Sequence, residues 1–88
     1  MNDNKLQNEL EKLRSEVNNL ASDNAAAREQ LNLLINDIEK KLAKPADEDH
    51  HRYLVRGIKD AIRQFESDHP RATAILNDIM ITLSNMGI

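Results

Sequence analysis

Two groupings of side chains in this sequence have the residue types and spacing of metal chemistry. The run Asp47-Glu48-Asp49-His50-His51 combines carboxylates with imidazoles, the donors that hold divalent cations. Adjacent histidines on a helix point about 100° apart. Only Asp47 and His51, at i and i+4, could share an ion, and weakly. An acidic helix start followed by solvated histidines accounts for the run better. Glu66 and His69 have the Glu-x-x-His spacing of di-iron carboxylate bundles. Such a site needs a second copy of the motif and two further inward carboxylates. A dimer could supply the second motif, but no companion glutamate is expected on an apolar face. Corner chemistry is the simpler reading: Ser67, Asp68 or His69 satisfies free backbone groups, with Thr73 nearby. No catalytic, cofactor-binding or metal-ligating residue is assigned, and no cofactor is expected.

A third grouping is electrostatic. Arg52, Arg56, Lys59 and Arg63 repeat at 4-3-4 spacing, forming a basic stripe along one side of a helix. The stripe could dock an acidic protein, a phosphate or a nucleic acid backbone. With no aromatic interleaving, a solvated face, paired with the acidic residues Glu9, Glu11 and Glu16, accounts for it better. Enzymatic readings lack their parts. There is no cysteine, no serine has a His-Asp partner at a recognisable spacing, and two glycines cannot build a phosphate-cradling loop. The chain is therefore expected not to be an enzyme.

Composition narrows the classes further. Twelve basic against 15 acidic residues give a net charge of −3, which disfavours a general polyanion binder. Tyr53 and Phe65 are the only aromatics, too few for stacking platforms. Eighty-eight residues make one small domain, and chains of this size commonly gain stability by association. The polar start Met1 to Leu10 does not read as a signal peptide. No apolar run reaches the ~18 residues that span a bilayer. A cytoplasmic location is expected, with no membrane partner, and nucleic acid is disfavoured as a partner.

The elements that position these residues are helices. Leu6, Leu10, Leu13, Val17 and Leu20 repeat at alternating spacings of four and three, a heptad seam with Leu10 and Val17 at a. The count continues through Asn24, Ala27, Leu31, Leu34 and Ile38. One reading is a single helix of about 40 residues with Asn24 as a buried polar register-setter. The other is a break near Ala21-Ser22-Asp23, with Ser22 or Asp23 as N-cap. In a parallel dimer Glu9 at g could meet Arg14 at e of the other chain. Lys40, Lys41 and Lys44 before Pro45 suit a helix C-terminus, and Asp47-Glu48-Asp49 suits an N-terminus. A third helix carries Leu54, Ile58, Ala61, Ile62 and Phe65, with Val55 on its flank. Ser67-Asp68-His69-Pro70 turns a corner, and a fourth helix runs from about Arg71 to Met86. Gly87 and Ile88 suit a C-terminal cap. The fourth helix has one charged residue, Asp78, after Arg71. Ala72, Ile75, Ile79, Leu83 and Met86 share one face, Leu76 and Met80 widen it, and Ala74 and Ile81 fall on the other side. A helix so broadly apolar is buried, and a second copy of the chain would cover it.

The stretch Phe65-Glu66-Ser67-Asp68-His69-Pro70-Arg71-Ala72-Thr73, then Leu76-Asn77-Asp78-Ile79, and the terminal Leu83-Ser84-Asn85-Met86-Gly87-Ile88 resemble a family of short bacterial proteins catalogued as a domain of unknown function. Its members pair an amphipathic N-terminal half with an F-E-x-x-H-P corner and a helix ending in S-N-M-G-I. The resemblance covers the chain loosely and residues 65–88 closely. It implies a break in the first segment near Ser22-Asp23, although the proline common at that break is absent here. It implies no activity.

The expected protein is therefore all-α: amphipathic helices with coiled-coil-like heptads at the N-terminus, forming a bundle completed by oligomerisation. Residues 1–88 are one domain, with a heptad-bearing half at 3–44 and a helical hairpin at 46–88 whose corner lies at 67–70. The expected function is that of a homo-oligomeric structural or protein-interaction module. The partner is a second copy, or another protein, met through Leu6, Leu10, Leu13, Val17, Leu20, Ile75, Ile79, Ile81, Leu83 and Met86. Two alternatives are a regulatory binder of an acidic ligand or nucleic acid through the basic stripe and, more remotely, a metal-binding bundle.

Overall fold

The computed structural model describes residues 2–20 and 24–86, with side chains from residue 4 onward. Its elements are α1 (Asn2–Asn18), α2 (Ala25–Ala43), α3 (Glu48–Phe65) and α4 (Pro70–Met86). The N-terminal half is thus two helices, and the heptad count does not run through as one rod. At the end of α1 the Asn19 N–H reaches the Ser15 and Glu16 carbonyls at 3.1 Å, and the Leu20 N–H donates to Val17 at 3.2 Å. Such i→i+3 bonds tighten a helix as it closes. Asn24 stands half-buried at the N-cap of α2 without a side-chain capping bond, which is not the buried a position of a continuous seam. The proposed caps Ser22, Asp23 and Gly87-Ile88 lie outside the described residues.

The acidic run behaves as a helix start. Asp47 adopts extended backbone and its carboxylate accepts the His50 N–H at 3.0 Å, satisfying one of the free donors of the first turn. Glu48 and Asp49 add negative charge there. At the corner before α4, the Thr73 N–H and Oγ1 both donate to the His69 carbonyl at 3.0 Å. Pro70 opens α4, where its missing N–H costs nothing.

Connections of a few residues hold successive helices antiparallel. Each helix packs on two neighbours: α1 and α3 both lie against α2 and α4, while among the described residues the diagonal pairs make no close backbone approach. Among the described residues no member of the stripe on α3 pairs with Glu9, Glu11 or Glu16 of α1, and Arg52 lies near Glu48 and Asp49 of its own helix. The core takes Leu6, Leu10, Leu13 and Val17 from α1, Leu31, Leu34, Ile35 and Ile38 from α2, Leu54, Ile58, Ala61 and Phe65 from α3, and Ala72, Leu76, Ile79 and Leu83 from α4. The N-terminal seam is thus buried by its own chain, with Leu20 packed at its edge. Flanked by α1 and α3, α4 buries most of its breadth. Ile75, Met80 and Met86 pack partly against the core, leaving Ile81 as the large apolar side chain of this helix that is exposed.

Candidate functional site

Five polar residues are buried among the described residues, Thr73 at the corner and Glu9, Lys41, His51 and Thr82 between the helices. Glu9 of α1 is 5% exposed and Thr82 of α4 is fully buried. The Thr82 Oγ1 donates to Glu9 Oε1 at 2.6 Å. A glutamate does lie on an apolar face, contrary to the sequence expectation, but it is tied to a threonine rather than to a second carboxylate. Arg14 is engaged within the chain, at 2.7 Å from Glu11 and 2.6 Å from Glu39 of α2.

Where α2 gives way to α3, Lys41 is buried and its Nζ donates to the Pro45 carbonyl at 2.6 Å. His51 of α3 is 8% exposed, and its Nδ1 is buried without a hydrogen-bond partner. Desolvation, with help from the positive charges of Lys41, Arg52 and His50, holds its imidazole below the ordinary 6.5. The His50 ring reaches the Asp37 carbonyl at 2.8 Å through Nε2. Neither histidine is simply solvated, as the sequence reading had them. No group of three or more potential metal-ligating side chains gathers among the described residues. At the corner, His69 sets its ring edge-on to Phe65, with centroids 5.6 Å apart, and Glu66 is exposed.

Two grooves flank α3. The one between α3 and α4 encloses about 400 Å³ and is lined by His51, Arg52, Val55, Arg56, Lys59 and Ser84. Three of the four stripe residues thus converge on one groove, while Arg63 stays outside it. Arg52 lies 3.9 Å from Glu48 and 3.7 Å from Asp49, long contacts between exposed groups that contribute little. The groove between α2 and α3 encloses about 370 Å³. Leu34, Gly57, Ala61 and Phe65 line it, with Leu33, Tyr53, Gln30, Asp37, Arg56, Asp60 and Gln64 beside them. Leu33 is 59% exposed and Tyr53 64%. The sequence reading missed this surface. Its signals were an apolar Leu33 beside the Leu31-Leu34 face and a glycine in the middle of a helix.

Among the described residues, no helix is long and apolar enough to cross a membrane. The chain matches no curated protein and no solved structure. One family model does match, over residues 6–88, nearly the whole chain. That match spans the histidine-proline corner as well as the four helices, and the chain belongs to the family described as Domain of unknown function (DUF4404).

Proposed function

We propose that this protein is a non-enzymatic helical interaction module, and that its α2/α3 face packs on the same face of a second copy. Leu33 and Tyr53 carry the proposal. They stand on adjacent helices beside one groove and are two of the three large apolar side chains exposed among the described residues. Aromatic and aliphatic anchors beside an apolar recess, rimmed by polar groups, are the usual make-up of a protein interface. A two-fold contact must be self-complementary, and this rim carries both signs: Asp37 and Asp60 beside Arg56. The long face of a body 37 × 21 × 18 Å is of the right size for the roughly 800 Å² that each partner of a standard interface buries.

Gly57 adds a second strand of support. Glycine in a helix interior costs about 0.5–1 kcal/mol relative to alanine. A Cβ at this position would meet only Leu34 Cδ2, at 3.4 Å, an ordinary contact. The fold does not need the glycine, whose missing side chain leaves room in the groove beside Leu33 and Tyr53. The lack of cysteine suits residence in a reducing cytoplasm.

Light scattering across a concentration series tests the proposal. The wild type is expected to have the mass of a dimer, and Leu33→Glu to have that of a helical monomer. A monomeric wild type, or a Leu33→Glu protein that stays dimeric, would sink it.

A further inference from the structure

The groove between α3 and α4 has a different chemistry from the apolar one, and its lining contains no carboxylate. In a chain of net charge −3 that is a concentrated exception. Arg52, Arg56 and Lys59 stand at i, i+4 and i+7, so their Cα atoms span about 10 Å along the helix. Like charges at such spacing repel. Arg56 and Lys59 have no ion-pair partner among the described residues, and Arg52 has only the two long contacts to exposed acids. Across the groove α4 supplies the Ser84 hydroxyl, a neutral donor. At its inner wall His51 is more than nine-tenths buried with Nδ1 unpartnered, a cost that native interiors normally avoid.

We propose that this groove binds a small polyphosphate anion, of which inorganic pyrophosphate is the simplest, between Arg52, Arg56 and Lys59, with Ser84 as a further donor. Two guanidinium forks and an ammonium within about 10 Å suit linked phosphate groups. A nucleic acid backbone fits less well. No aromatic side chain lines the groove, and Arg63, which would extend the track, lies outside it. Binding also reports on His51. Lys41 faces the imidazole from α2, His50 and Arg52 lie along α3, and α4 offers the neutral Ser84, while α1 lies diagonally across the bundle with no close backbone approach to α3 among the described residues. An anion here offsets the surrounding positive charge and raises the proton affinity of the ring, and protonation strengthens binding in return.

The test is a nuclear magnetic resonance titration of isotope-labelled protein with sodium pyrophosphate, sodium chloride holding the ionic strength constant. Saturable shifts are expected at His51 and Ser84, together with an upward move in the titration midpoint of the His51 ring. Lys59→Gln should weaken binding about tenfold, the loss of one charge-assisted contact. Arg63→Gln removes the same charge outside the groove and should leave the affinity within about twofold. Shifts that never saturate, or equal weakening by both variants, would mean diffuse electrostatics and overturn the proposal. So would tighter binding of an oligonucleotide that depends on Arg63. Neither Lys59 nor Arg63 lines the α2/α3 groove, so the solution mass of these variants reads the self-association separately.

Discussion

At the scale of single residues, the contact between Glu9 and Thr82 is the least replaceable polar feature of the core. Both side chains are withdrawn from water, and the hydroxyl is the one hydrogen-bond donor to the carboxyl group among the described residues. Thr82→Val keeps the shape and removes the donor. The expected loss is about 1–3 kcal/mol, the cost of leaving a buried polar group unmet, read as a lower urea midpoint at unchanged slope. The double variant Glu9→Leu with Thr82→Val should recover most of that loss, since an apolar pair of similar volume replaces a polar one. An unaffected midpoint in Thr82→Val would mean that the pair contributes nothing. Glu9 was legible in part: it follows Leu6 by three residues and precedes Leu13 by four. The heptad count hid it, because g flanks the seam of a two-stranded coil. A helix of a four-helix bundle faces two neighbours, and its buried arc widens to take in g.

At the scale of elements, helix type and the ends marked by charge were written plainly in the sequence. Asp47 caps α3 because a short acid beside a free N–H is a local interaction, independent of what lies across the bundle. The break between α1 and α2 was not decidable from the sequence. Leu20, Asn24 and Ala27 continue the seam well enough that only packing against α3 and α4 folds the chain back. For the same reason the breadth of α4 spoke only of burial. The two helices that cover it come from its own chain. The α2/α3 recess escaped notice because Gly57 lines part of it, and periodicity counts only the side chains that are present. Gly57→Ala is therefore expected to act in two opposite directions. It should stabilise the fold by up to about 1 kcal/mol, a rise in thermal midpoint of several degrees for a domain this small. It should also weaken self-association by partly filling the recess. A variant that was both more stable and no less associated would separate the glycine from the interface.

At the scale of the whole molecule, the interior is polar at one end. Lys41 and His51 lie within a turn of the α2–α3 connection, and the basic groove opens on the same end through His51, Arg52 and Ser84. This arrangement ties stability to pH through His51. Desolvation first, then the charges of Lys41, Arg52 and His50, hold the folded imidazole below 6.5, the value an unfolded chain keeps. Well above 6.5 both states are neutral there and the histidine adds no pH dependence. As the pH falls through 6.5 the unfolded chain binds a proton that the folded chain refuses, so stability declines until the pH drops below the folded value too. For one proton the slope cannot exceed about 1.4 kcal/mol per pH unit. The urea midpoint of the wild type should therefore fall between pH about 8 and about 5.5, above the range in which ordinary carboxylates titrate. His51→Leu, which removes the titrating ring and its unpartnered nitrogen together, should flatten the profile over that window. Pyrophosphate should flatten it as well in the wild type, because an occupied groove raises the folded proton affinity toward the unfolded one. A slope that persists in His51→Leu would place the proton elsewhere, and a slope insensitive to pyrophosphate would separate the histidine from the groove.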